Sequence, residues 1–177
     1  RLTMKYKLLL ACLLSLSGEA QDLLKLSQDY LSAVRYGDAV ESYHDKLAHL
    51  AEETLAQSLD TDRKKKVFWI NLYNAAVQSA LKSDSLQYQR RYKFYGTERL
   101  VVAGRRLSLN DIEHGILRRS QWVYGLGKVP KMFPSSFEKR HRVEELDLRI
   151  HFALNCGAKS CPPILFYTLD EFEKQID

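Results

Sequence analysis

The chain has 177 residues, 45% of them hydrophobic and 28% charged, with a formal net charge of +5. That length and composition suit one globular domain with a real core and exclude a disordered, fibrous or repeat architecture. The basic excess is mild and scattered over Arg90-Arg91, Arg105-Arg106 and Lys139-Arg140-His141-Arg142, so no clustered basic face argues for a nucleic-acid partner.

We take Met4 as the translation start. Lys5 and Lys7 precede an apolar run from Leu8 to Leu16, and Gly18-Glu19-Ala20 sets small residues at the −3 and −1 positions of a cut before Gln21. That is the pattern of a signal peptide over residues 1–20, and the run is far short of the ~20 residues a membrane span needs. Leu9-Leu10-Ala11-Cys12 also resembles a lipoprotein cleavage box, which makes Cys12 the alternative, a lipid anchor. Cleavage before Gln21 would remove Arg1, Lys5, Lys7 and Glu19 and leave 24 basic against 21 acidic residues. The expected location is the periplasm or cell envelope of a bacterium, with no transmembrane span in the mature chain.

Residues 21–59 read as an N-terminal helical region. Apolar positions at 23, 24, 26, 31 and 34 give Asp22 to Val34 a helical rhythm, broken at Tyr36-Gly37-Asp38. A second helix is predicted over Leu47 to Leu59. Asp60-Thr61-Asp62 offers capping side chains for a third, running to about Lys82. That third helix, near 62–82, is apolar almost all round and is expected to be central and buried. Its exceptions are Asn71, Asn74 and Gln78, at i, i+3 and i+7 on one face. Buried amides must find partners: either the backbone of an adjoining loop or a ligand, which makes Asn71 and Asn74, together with Arg149 further along the chain, candidate substrate-binding residues.

Leu100 to Leu109 reads as a β-hairpin turning near Gly104. Asn110 is expected to cap a short helix, with Glu113 at N3. Gln121 to Arg142 is predicted to be irregular. Leu148 to Cys156 alternates and reads as the key strand, with Leu148, Ile150, Phe152, Leu154 and Cys156 toward the core and Arg149, His151, Ala153 and Asn155 opposite. Thr168 to Glu171 is a capping box for a last helix, inside which the chain ends at Asp177. The expected fold is a helix-rich α+β single domain with a small β-sheet, residues 60–177 forming the main unit, cut short at its C-terminus.

Reactive chemistry concentrates in His151-Phe-Ala-Leu-Asn155-Cys156-Gly-Ala-Lys-Ser-Cys161-Pro-Pro. Gly157-Ala158 permits a turn that brings Cys161 back toward the polar row, and Pro162 holds Cys161 extended. Cys156, on the apolar face, is expected to be inert. Four readings stay open. Cys156 and Cys161 form a disulfide, which closes so short a loop that it contributes only about 2 kcal/mol. Cys161 is a nucleophile, with His151 or His114 as base, an asparagine as orienter, and Arg149 and Lys159 as nearby cations. His151, Cys156 and Cys161 ligate a metal, although the spacing fits no common zinc pattern. Or both thiols are inert. His114 sits beside Glu113, but neighbours on a helix point about 100° apart and form no adjacent dyad. His44, His49 and His141 lie in polar surroundings and receive no role.

Three blocks in order carry a resemblance: Phe68-Trp-Ile-Asn71-Leu-Tyr73-Asn74-Ala75, Leu107-Ser-Leu-Asn-Asp-Ile-Glu113-His114-Gly-Ile-Leu-Arg118, and Arg149-Ile-His151 through Asn155-Cys156 to Cys161-Pro162. Together they resemble the domain of unknown function 547 family over about residues 60–170. The family's usual Asp-Pro-Arg is here Asp147-Leu148-Arg149, and its domain continues beyond a helix like 169–176. The resemblance implies one shared constellation of Asn71, Asn74, Glu113, His114, Arg149, His151, Asn155, Cys156 and Cys161, and no particular reaction. Paired cysteines also occur in family members from reducing compartments, which favours a thiol-centred site over a purely structural disulfide.

The leading expectation is a cysteine-dependent hydrolase or transferase acting on an amide or thioester in a small molecule or peptide. Cys161 is the nucleophile, His151 the base, and Asn155 or Glu113 the orienter, with no cofactor and no metal. The competing expectation is a non-enzymatic envelope binding or scaffold domain clipped by a Cys156–Cys161 disulfide. A Cys-x-x-Cys redox signature is absent.

Overall fold

The computed structural model describes residues 4–83, 85–125, 129–157, 161 and 163–177, with side chains from Gly18 onward except at Gln87. The described residues form a helix-rich α+β domain with one two-stranded sheet among them. Helix α1 spans Met4–Tyr36, α2 Glu41–Ala48, α3 Glu52–Ser58 and α4 Asp62–Ser83. A 3-10 turn at Ser85–Gln89 leads to α5, Arg91–Gly96. Strands β1 (Glu98–Val102) and β2 (Arg105–Ser108) pair antiparallel. A π-helical segment, Asp111–Leu117, follows. Three short helices complete the chain: α6 Ser136–His141, α7 Ile150–Ala153 and α8 Phe172–Ile176.

The apolar composition of α4 places it at the centre, as expected. Phe68, Trp69, Ile70 and Leu72 are fully buried in it, and α1 packs along its length. The buried residues of α1 run from Ala20 to Val34. Thr61 supplies the expected cap, its Oγ1 accepting from the Lys64 N–H.

The hairpin also forms as read. Its turn places both central residues, Ala103 and Gly104, at positive φ (49° and 71°), the geometry whose twist matches the flanking strands. Their two N–H groups donate to the carbonyls of Leu47 and Ala48, at 2.9 Å each. The helix predicted over Leu47 to Leu59 is the shorter α3, and α2, which was not predicted, precedes it and gives its last carbonyls to the hairpin.

Other expectations are corrected. Asn110 has helical backbone and caps nothing. The reciprocal pair is Ser108 and Asp111: the Ser108 N–H and hydroxyl donate to Asp111 Oδ2 at 2.9 and 2.6 Å, and Ser108 Oγ accepts the Asp111 N–H. The segment predicted to be irregular contains α6, capped by Ser135 Oγ on the Glu138 N–H. The last helix starts at Phe172, its Thr168–Glu171 approach closed by the Thr168 hydroxyl.

The largest correction is residues 148–156, which form the one-turn helix α7 and no strand. Ile150, Ala153 and Leu154 are the buried residues, a helical spacing, while Leu148 and Phe152 are 72% and 70% exposed. The alternating apolar pattern misled because no strand among the described residues pairs with this segment; its backbone closes helical hydrogen bonds instead, Ala153 N–H to the Arg149 carbonyl and Leu154 N–H to that of Ile150.

With so little regular structure after residue 142, backbone polar groups there must find partners elsewhere. Helix α4 supplies them. Asp62 accepts the N–H groups of Glu144 and Glu145. Lys65 donates to the Arg142 carbonyl, Lys66 to the Asp147 carboxylate, Asn71 to Tyr167 and Asn74 to Ala153. The polar positions of this apolar helix are thus a row of grips on the C-terminal segments.

Candidate functional site

The turn carrying the thiols is built outward from Asn74. Its side chain is fully buried; Nδ2 donates to the Ala153 carbonyl at 3.1 Å, and Oδ1 accepts the Asn155 N–H at 2.9 Å. The Asn155 side chain then accepts the Gly157 N–H at 2.9 Å. Gly157 has φ +77°, and a Cβ there would lie 2.9 Å from Leu81 Cδ1, so only glycine lets the turn lie this close to α4. From above, the Tyr95 hydroxyl donates to the Cys156 carbonyl at 2.7 Å.

The result places Cys156 Sγ and Cys161 Sγ 2.6 Å apart, both half-buried and not joined by a disulfide. Ala158, Lys159, Ser160 and Pro162 lie outside the described residues, as do the Lys159 cation and the Pro162 restraint expected there.

Above the thiols lies a group that the spacing of polar residues did not reveal. The buried Tyr73 hydroxyl donates to Glu113 Oε2 at 3.1 Å. Burial pushes the Tyr73 hydroxyl well above its ordinary pKa, and the Glu113 carboxylate, the Tyr95 hydroxyl and the Cys156 thiol add to the rise. Burial likewise raises Tyr95, with contributions from Tyr88, Cys156 and Glu113. Cys156, Tyr73, Tyr95 and Glu113 therefore share one local field. Tyr73 read as core in the aromatic helix; Tyr95 lies in a stretch with no periodic signal.

The other predicted residues are distributed around this centre. Glu113 Oε1 lies 3.8 Å from His114 Nε2 and 3.6 Å from Arg118 Nη1. The π-helical winding, with Arg118 N–H bonded to the Glu113 carbonyl, brings the neighbours closer than α-helical geometry predicts. Burial lowers the His114 pKa against the opposing pull of Glu113, which favours the neutral imidazole. Its Nδ1 is buried without a hydrogen-bond partner among the described residues, beside a cavity of about 90 Å³ also lined by Gln121 and Lys131.

His151 is exposed on α7, its ring 5.6 Å from that of Phe152. Arg149 turns away to the C-terminus, bonding Asp147, Glu173 and Asp177. Burial works against ionisation of Asp147, but hydrogen bonds from Arg149 and Lys66 outweigh it and hold the carboxyl below its usual range. Asn71 is as buried as Asn74, and both its amide atoms are engaged by the Tyr167 backbone, at 2.9 and 3.0 Å. Of the histidines given no role, His141 is buried: its ring packs on Phe137 with Nε2 3.7 Å from Glu52 Oε1, and burial lowers its pKa to about 4.

Among the described residues no three His, Cys, Asp or Glu gather as metal ligands, and no helix is long and apolar enough to cross a membrane. The Cys12 side chain lies outside what is described.

The family model described as "Protein of unknown function, DUF547" matches residues 56–177. No curated protein and no solved structure matches the chain.

Proposed function

The chain belongs to the DUF547 family, and on that premise we propose that it is a thiol-centred hydrolase or transferase acting on an amide or thioester. The observation that carries the reading is the 2.6 Å separation of Cys156 and Cys161 sulfurs on a turn held from both sides. A thiol beside a thiolate can donate to it and lower its pKa, the way paired cysteines activate one another.

Cys161 is the proposed nucleophile, with the Cys156 backbone pinned beneath Tyr95. The Cys161 thiolate adds to the carbonyl carbon, and the C–N or C–S bond breaks. An acyl thioester remains on sulfur, and the departing amine or thiol takes up the proton the base had removed. Water or an acceptor then cleaves the thioester and restores the thiol. His151, exposed on α7 just ahead of the turn, is the proposed base. Asn155 orients the turn through the Gly157 N–H. Glu113 and neutral His114 are proposed on the substrate side with Tyr73, and the ligand is a small molecule or peptide.

The same separation favours one second reading, a structural Cys156–Cys161 disulfide in a non-enzymatic binding domain. Alkylation rate against pH, before and after reduction, separates the two. The enzyme reading expects one fast thiol with an apparent pKa well below ~8.5, lost in Cys161→Ser and slowed in Cys156→Ser. No labelling until reduction supports the disulfide and removes the nucleophile.

Export belongs to the proposal too, with residues 1–20 cleaved and the mature protein in the periplasm or envelope. The core positions of α1 from Leu23 to Val34 lie beyond the cut. The intact mass of protein recovered from the envelope fraction tests this: mature chains starting at Gln21 support it, and a lipid-modified Cys12 replaces it.

A further inference from the structure

We propose that the face formed by Tyr92, Trp122 and Tyr124 docks on an anionic lipid bilayer. Tyr92, on α5, stacks on Tyr124 with ring centroids 6.4 Å apart and 15° between planes, and Trp122 meets Tyr124 edge-on at 5.7 Å. The segment bearing Trp122 and Tyr124 is narrow at its base. Gln121 pairs with Pro130 in an isolated bridge, and the Trp122 N–H donates to the Val129 carbonyl at 2.8 Å. Three aromatic rings therefore pack on one another while staying largely in solvent, with Val123 and Val129 also exposed. A soluble surface seldom gathers apolar side chains this way without a partner.

Charge selects the occupant. From Ser85 to Thr97 and from His114 to Phe137 the sequence contains no aspartate or glutamate. Those two stretches meet through the Tyr92–Tyr124 stack. They carry Arg90, Arg91, Lys93 and Arg119, all exposed. Tryptophan and tyrosine settle at the headgroup level of a bilayer, and lysine and arginine beside them bind anionic headgroups. A single-stranded nucleic acid would also accept cations and rings. The exposed Val123 and Val129 beside the rings favour the bilayer, because they suit an apolar phase and offer a base nothing to stack on.

The chain reports on this surface directly. Trp69 is fully buried whereas Trp122 is 49% exposed, so a change in tryptophan emission on binding reads Trp122. The full chain is titrated with vesicles of equimolar phosphatidylcholine and phosphatidylglycerol, and with pure phosphatidylcholine. The expected result is a blue shift with the anionic vesicles, reversed by salt and absent in Trp122→Phe. Binding weakens on the order of a hundredfold in the triple variant Arg90→Ala, Arg91→Ala, Lys93→Ala. Vesicle binding that leaves Trp122 emission unmoved would place the lipid contact elsewhere, such as the apolar start of α1, and overturn the proposal. A shift given by a single-stranded oligonucleotide but not by vesicles overturns it equally.

Discussion

Asn71 and Asn74 sit three residues apart on the same face of α4, equally buried, and both spend their amide on the backbone of a distant segment. The difference lies in what they hold. Asn71 takes the N–H and the carbonyl of a single buried residue, Tyr167, as a neighbouring strand would. Asn74 straddles Ala153 and Asn155 and leaves the Asn155 side chain to close the next turn onto Gly157. One residue type, one face of one helix and one kind of bond thus serve packing in one place and, three residues later, set the path of the two thiols. A buried amide in a family motif is therefore informative about position before it is informative about substrate.

Removing each grip should break this symmetry. Asn71→Ala leaves the buried Tyr167 N–H without its partner, at roughly 1–3 kcal/mol, while the Tyr167 carbonyl keeps its bond from Gln28 Nε2. We expect a loss of about 3 kcal/mol in denaturant unfolding, with thiol reactivity of the folded protein unchanged. Asn74→Ala should cost a similar amount, about 2–3 kcal/mol, chiefly from the buried Ala153 carbonyl, because Asn155 is half-buried and water can reach its N–H. Its distinctive effect is on chemistry: alkylation of Cys156 and Cys161 should change in rate and in pH dependence. Equal thiol effects in the two variants would dissolve the distinction.

Gly157→Ala sharpens it from the other side. The amide bonds stay, but a side chain at φ +77° meets Leu81. A cost of about 1–2 kcal/mol is expected, with the thiols displaced as in Asn74→Ala, measurable by the same alkylation assay. The smallest effect belongs to Arg149→Ala. Arg149 links Asp147, on the Asn74 side, to Glu173 and Asp177, on the Asn71 side. Its pairs with Glu173 and Asp177 are exposed, and Lys66 still holds Asp147, so the loss should be about 1 kcal/mol; unfolding of the double variants with each asparagine shows whether the two grips communicate.

Much of this was legible in the residues. The apolar girth of α4, its polar exceptions, the hairpin and the concentration of chemistry at 155–161 follow from composition and spacing. Residues 148–156 did not, because an alternating apolar pattern describes a strand only where another strand is available to pair with it. Leu148 and Phe152 turned out to be surface residues. The roles of Tyr73 and Tyr95 were illegible for a different reason. An aromatic in an apolar helix looks like core whether or not its hydroxyl has work, and only the fold brings Tyr95 over the Cys156 carbonyl. Arg149 looked like a ligand-binding cation because its three carboxylate partners are spread over some thirty residues of chain.

The hairpin apex carries a consequence for exchange with solvent. Turn amides usually face water and trade their hydrogens quickly. Those of Ala103 and Gly104 are instead tied to the end of α2, so their deuterium uptake should be as slow as that of the strands they join. They should lose protection together with the last turn of α2, in one cooperative opening. Ala103 is also held at φ 49°, a conformation alanine rarely adopts on its own. Such a residue remains there only while the contact across the fold holds it, which makes this apex a sensor of whether the N-terminal helices are docked.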